Sequence, residues 1–308
     1  MSSVYWLARS GIAVAGRTPR RLRHGLASTV TSATYLGWRA KRVVTQENMA
    51  TVLGLPAADP RVKRAALRSW YNYGRTAASL ICLPFEDLAA VEAGSLDLSE
   101  GTPWRENLRR AQSPGHGLIV TTGHFGSWDL AGAIAAQYAP LSAIADTFGD
   151  ARLNSLLQGH RRDKRVSIIP VSNAARPALA ELAAGRALAI VADRPVEPER
   201  GVAVTFFGRT AYVPAGSAAM AVKSGAAILP GYVWYAPGNR HYIRTFAPMF
   251  PRPVSTATER RAEIERLTQY MMSCQEAVIR QSPTQWFMFR RFWPDAVAPV
   301  RTPALASV

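Results

Sequence analysis

From residue 117 onward, short apolar runs alternate with stretches of helical character, and this alternation limits what the chain can fold into more than any other feature. Runs at 117–122, 141–145, 166–170, 187–192, 202–207 and 228–234 have the length and texture of strands. Between them, 130–137, 152–162 and 177–184 read as helices, and Pro214 opens another helix built from small side chains. A charged helix is expected over about 259–280. Strands separated by helices in this way predict an α/β fold, with a mostly parallel central sheet flanked by helices.

Residues 1–95 have a different texture, with few β-branched runs, a turn at Leu55-Pro56-Ala57 and a helix expected over about 61–80. Three regions follow: a helical, membrane-associating region at 1–95, an α/β core at 96–294, and a disordered tail at 295–308 carrying Pro299 and Pro303. The membrane expectation rests on charge. With 37 Lys and Arg against 21 Asp and Glu, the net charge of +16 implies a polyanionic partner. Many of the arginines flank apolar stretches, as on a protein lying against phospholipid headgroups. Tyr5, Trp6, Tyr35 and Trp38 stand near Arg17, Arg20, Arg21, Arg23, Arg39, Lys41 and Arg42. No uncharged stretch reaches the roughly 20 apolar residues of a spanning helix, and Arg9 interrupts the run from Val4 to Ala8 before a secretory core forms. Cys82 and Cys274 have neither disulfide-framework nor metal-ligand spacing, so a reducing compartment and no metal are expected.

In open α/β sheets, reactive groups collect where strands end and helices begin. The run 117–122 is followed at once by Gly123-His124-Phe125-Gly126-Ser127-Trp128-Asp129. His124 then sits at a strand exit, with Ser127 placed to cap the next helix and Asp129 in its first turn. A carboxylate on one imidazole nitrogen raises the basicity of the other, which suits removal of a proton from an alcohol. Of His24, His116, His124, His160 and His241, only His124 has an acidic residue at this offset. A second acidic group, Asp193, ends the run 187–192, and Glu197 and Glu199 are nearby alternatives.

The heptad 123–129 resembles the His-x4-Asp/Glu motif of the lysophospholipid acyltransferase superfamily. Its His-x-Gly-x-Trp-Asp form is similar to the branch holding bacterial lipid A late acyltransferases and actinobacterial phosphatidylinositol mannoside acyltransferases. The similarity runs from about Asn48 to Trp293. It implies an O-acyltransferase with His124 as base and Asp129 orienting it, and with Asp193 in the family's second acidic block beside the histidine. Residues 161–170 resemble a segment whose arginine holds a headgroup or the catalytic carboxylates, with Arg165 where glycine is usual; both Arg161 and Arg162 fit. Arg194, Gly126 and Trp128 complete the implied substrate-binding set. The resemblance further implies an acyl-CoA or acyl carrier protein thioester as donor substrate, no cofactor or metal, and amides near the turn as oxyanion donors. The acceptor would be a glycolipid on the cytoplasmic face of the inner membrane, reached by a peripheral or monotopic protein. A phosphatidylinositol mannoside-type acceptor is favoured over a lipid A-type one.

Two other classes compete. No Gly-x-Ser-x-Gly elbow is present, which argues against a serine hydrolase. A non-enzymatic anionic-lipid-binding protein would use the same basic and aromatic surface. The aromatic-basic stretch from Trp286 to Trp293 fits a membrane interface, and with no recognised module beside it, nucleic acid is not expected as a partner.

Overall fold

A computed structural model describes Ile12 and residues 16–147 and 149–293. The expectations for Val4 to Arg9 and for the tail at 295–308 lie outside the described residues. Three helices come first: α1 (Arg20–Gly37), α2 (Arg39–Leu53) and α3 (Pro60–Ile81). Local chemistry sets their limits. Gly54 ends α2 in the left-handed conformation, and α3 starts with Pro60 behind Asp59, whose carboxylate accepts from the Arg61 amide.

Next come α4 (Leu88–Ala93), β1 (Leu96–Asp97), α5 (Trp104–Gln112), β2 (Leu118–Thr122), α6 (Trp128–Ala135), β3 (Leu141–Ala145) and α7 (Ala151–Arg162). They lead into β4 (Val166–Pro170), α8 (Ala175–Ala183), β5 (Ala187–Val191), β6 (Val202–Phe206), β7 (Arg209–Val213) and α9 (Gly216–Ser224). The described chain closes with β8 (Ala227–Tyr235), β9 (His241–Thr245) and α10 (Ala257–Gln281), which begins with a Thr256/Glu259 capping box.

Seven strands form one sheet in the order β1-β9-β8-β2-β5-β3-β4. Five run in parallel, and the antiparallel pairing of β9 with β8 reverses β9 and its parallel neighbour β1. The α/β expectation therefore holds. The run ending at Phe207 differs from expectation: β6 leaves the main sheet and pairs with β7 in a separate antiparallel ribbon packed on α10.

Alternate side chains of the central strands serve two cores. Leu118, Leu141 and Ala187 face a layer with α5 and α6, whereas Ile119, Leu188 and Ile228 face α8, α9 and α10. This period-2 division is why the runs read as continuously apolar.

The stretch from Trp286 to Trp293 departs from its reading as a membrane surface. Trp286, Phe287, Phe292 and Trp293 are buried, most of them in a core with Phe125, Phe206 and Val278. N-terminal helices hold this stretch by its backbone: Ser69 Oγ donates to Trp286 O at 2.8 Å, and Asn48 Nδ2 donates to Met288 O and Arg290 O at 2.9 and 2.7 Å. Tyr35 is also buried, against Trp70, while Trp38 is exposed.

Candidate active site

The site forms where β2 ends. The turn after it is shaped by Gly126 (φ 61°), which presses on β8 so closely that an added Cβ would stand 2.2 Å from Val233 O. Hydrogen bonds fix the turn on all sides: Gly126 N donates to Gln285 O at 2.9 Å, Ser127 N to Val233 O at 2.7 Å and Phe287 N to His124 O at 2.7 Å. Thr76 Oγ1 of α3 donates to Gly126 O at 2.8 Å. The imidazole of His124 is thereby held at the cleft wall, with about a fifth of its side chain exposed.

Asp193, fully buried, is the carboxylate that meets this ring. His124 Nδ1 lies 2.7 Å from Asp193 Oδ1, and the His124 amide donates to both carboxylate oxygens at 3.0 and 2.9 Å. Gln275 Nε2 and Trp286 Nε1 donate to Oδ2 at 2.6 and 3.1 Å. Burial alone would raise the Asp193 carboxyl, but the neighbouring imidazole and these hydrogen bonds outweigh it and hold the group below its ordinary value. An ionised carboxylate only accepts, so Nδ1 is the donor to Asp193, which in a neutral imidazole leaves the lone pair on Nε2.

The expected link from Asp129 to His124 is not made. Asp129 Oδ1 accepts from Arg161 Nε at 2.7 Å, and Arg161 is braced in turn by Gln158 Oε1 at 2.7 Å. Asp129 Oδ2 is buried without a hydrogen-bond partner among the described residues. At the start of α6 the Asp129 side chain is directed to α7, while the end of β5 brings Asp193 under the ring.

His124, Asp129 and Arg161 line a common cleft of about 1100 Å³. Its inner wall is apolar, running between α5, α6 and a sheet floor that includes the small residues Ala143, Ala189 and Gly231. Tyr73, Trp128 and Phe287 also line it. Burial, and then the charge of Asp129, raise the Tyr73 phenol and keep it protonated.

Over residues 1–294 the chain matches the bacterial lipid A biosynthesis acyltransferases. It belongs to that family. This acyltransferase is 28% identical over 255 residues to a phosphatidylinositol mannoside acyltransferase of Mycolicibacterium smegmatis, covering 80% of this chain and 78% of that one. A phosphatidylinositol mannoside acyltransferase of Mycobacterium tuberculosis (H37Rv) is 26% identical over 271 residues, covering 85% and 80%. The 1-acyl-sn-glycerophosphate acyltransferase PlsC of Thermotoga maritima aligns with 83% of this chain and 98% of its own at 17% identity, and its TM-score of 0.36 is too low to inform the site.

The acyltransferase places the other expected site residues unevenly. Trp128 stands in the cleft with its ring 5.6 Å from that of His124, and Arg194 lines the mouth, paired with Asp146. Arg161 rather than Arg162 lines the cleft; Arg162 is exposed, and its one hydrogen bond among the described residues is to Ser155 O at 3.5 Å. Arg165 adopts φ 67°, the left-handed conformation that favours the glycine usual there. The Gly126 N–H and C=O each bond a protein group, Gln285 O and Thr76 Oγ1. Ser127 occupies the cap position without a capping hydrogen bond. Glu197 and Glu199 are exposed. Gln275 and Trp286 escaped the sequence reading because they lie 82 and 93 residues from Asp193 and share no motif with it.

Proposed function

We propose that this O-acyltransferase moves a fatty acyl chain from a coenzyme A or acyl carrier protein thioester to a hydroxyl of a phosphatidylinositol mannoside-type glycolipid. It would work at the anionic cytoplasmic face of the cell membrane, with His124 as general base. The observation that carries the chemistry is the 2.7 Å contact between His124 Nδ1 and the buried Asp193, which leaves Nε2 basic beside an apolar cleft.

Nε2 takes the proton of the acceptor hydroxyl as its oxygen attacks the thioester carbonyl carbon. The C–O bond forms, the C–S bond breaks, and the proton passes to the departing thiolate. Asp193 orients the ring and stabilises the imidazolium, in place of Asp129. The amides of His124, Phe125, Gly126 and Ser127 are all bonded within the protein. Oxyanion stabilisation therefore falls to the first-turn amides of α6 at Trp128 and Asp129, which have no acceptor inside a helix. Arg161, Asp129 and Arg194 offer polar and charged groups for an acceptor headgroup at the mouth, and the apolar interior suits an acyl chain.

The mannoside acceptor is supported by the names of the two mycobacterial relatives. The family's own description favours a second reading, a lipid A-type precursor. Purified protein supplied with labelled acyl-CoA and each acceptor in turn separates the two. His124→Ala is expected to lower kcat by about 10³-fold, within the range of acid–base catalysis. A folded His124→Ala protein with undiminished transfer would end the reading.

A further inference from the structure

Around the ring of Tyr235, at the end of β8, the fold gathers two arginines and two histidines from three other elements. The Arg75 guanidinium of α3 lies over the face of the ring, 3.9 Å from its centroid. His241, at the start of β9, packs beside the ring at 5.2 Å, and His24 of α1 meets its edge at 6.0 Å. Ser79 Oγ, one turn along α3 from Arg75, stands 2.8 Å from the Tyr235 hydroxyl. Arg20, the first residue of α1, brings Nη2 to 3.3 Å from His241 Nε2. Both imidazoles are almost fully buried, with exposures of 5% for His24 and 1% for His241.

The two arginines are left without a counter-charge. Arg20 and Arg75 are half-buried, neither forms an ion pair among the described residues, and Arg20 Nε is buried with no hydrogen-bond partner. The arginines whose charge reaches the histidines are Arg20, Arg75 and, at His24, Arg23, which Glu86 already pairs. Arg75 in turn is set against Arg20 and Arg68. Burial first, and then these cations, hold both imidazoles neutral, at about 3. No acidic residue occurs before Glu47, so neither α1 nor the chain ahead of it supplies the missing charge.

A guanidinium keeps its proton at physiological pH, so half-burying two of them together is costly unless an anion shares the site. Arginine's planar fork matches the oxygens of phosphate. The neutral imidazoles and the hydroxyls of Ser79 and Tyr235 add uncharged donors from four elements, which suits a tetrahedral ion better than a planar carboxylate.

We infer that Arg20, His24, Arg75 and His241 form a binding site for a phosphate-type oxyanion, seated between α1, α3 and the β8–β9 corner of the sheet. The site goes beyond the transferase reading, for none of the four residues lines the cleft. An anion held there fastens the start of α1 to the sheet. It also braces the part of α3 that supports the His124 turn, because Thr76, the residue after Arg75, donates to Gly126 O. A free phosphate ion and the phosphate of a lipid headgroup share this chemistry.

The test compares the melting temperatures of the full-length parent and Arg75→Gln as sodium phosphate replaces sodium chloride at constant ionic strength and neutral pH. Phosphate is expected to raise the parent's melting temperature as mass action requires, and Arg75→Gln to weaken the apparent affinity at least about tenfold. No rise in the parent, an equal rise in both proteins, or an equal rise with acetate overturns the site. Glycerophosphoinositol in place of phosphate identifies the source: a rise that Arg75→Gln loses assigns the site to a headgroup phosphodiester, and no rise assigns it to the free ion. Should Arg75→Gln fail to fold, proton NMR of the parent decides. Phosphate should shift the imidazole resonances of His24 and His241 but not those of His160, which is buried against Leu80 O, and unmoved His24 and His241 resonances overturn the site.

Discussion

The two carboxylates of the site are built on opposite terms. Asp193 has no exposure and takes hydrogen bonds from His124, Gln275 and Trp286, so its oxygens are saturated and it cannot turn toward a substrate. Asp129, nearly buried on the wall of the same cleft, has Arg161 as its one hydrogen-bonding partner among the described residues, and its second oxygen is buried without one. A saturated buried carboxylate is suited to fixing a tautomer, and an ion pair at a cleft wall is suited to receiving polar groups. The difference teaches that a carboxylate's place in a motif does not set its task, which follows from what its oxygens already hold.

Asp193→Asn should have the largest effect, lowering kcat by about 10³-fold with little change in KM, because an amide no longer dictates which nitrogen carries the proton. A comparable fall in kcat from Asp129→Asn would break the contrast. Arg161→Ala comes next: it strands the nearly buried Asp129, and a chemical melt should show a loss of about 3 kcal/mol. Much of that loss should return in Arg161→Ala/Asp129→Ala. Asp129→Asn alone is expected to raise the KM for the acceptor about tenfold, equivalent to about 1.4 kcal/mol, while kcat changes little.

The smallest effect is one of pH. The Asp193 carboxyl is held below its ordinary 3.8 in the folded chain, so the unfolded state takes up its proton first as pH falls. Its contribution to stability is complete above 3.8 and is lost as pH drops through the folded value. The part of the stability gap between parent and Asp193→Asn that comes from this carboxylate should therefore narrow as pH falls below 3.8. A gap that does not narrow below 3.8 would mean that Asp193 is not held in the charged form. His24 and His241 set a separate background. Burial first, then the guanidiniums of Arg20 and Arg75, hold both at about 3, so parent and variant alike should lose stability between pH 6.5 and 3 as the unfolded chain takes up protons.

Much of the fold was legible. The runs that became β3 and β4 were bounded correctly because each is a short, mainly apolar run set between helical stretches. The two-residue β1 and the strand β9, which carries His241, Arg244 and Thr245, left no such signal. In the site, His124, Asp193 and Arg161 were all named, but the partner of the imidazole was not, because spacing along one chain reports which groups are near in sequence and not where a side chain is aimed. The aromatic-basic stretch shows the same limit: composition alone did not distinguish a lipid-facing surface from a core held by Asn48 and Ser69.

By itself the sequence determined the layered α/β architecture, the strand exit that carries His124, and the cations that flank its apolar stretches. Periodicity and charge act locally, and each leaves its mark within one or two helical turns. Only the tertiary structure decided that Asp193 rather than Asp129 meets the ring, that Trp286 serves the site from inside a core, and that His24 and His241 gather with Arg20 and Arg75 around Tyr235. Those outcomes depend on contacts between residues dozens to hundreds of positions apart, fixed by packing that no window of the chain contains.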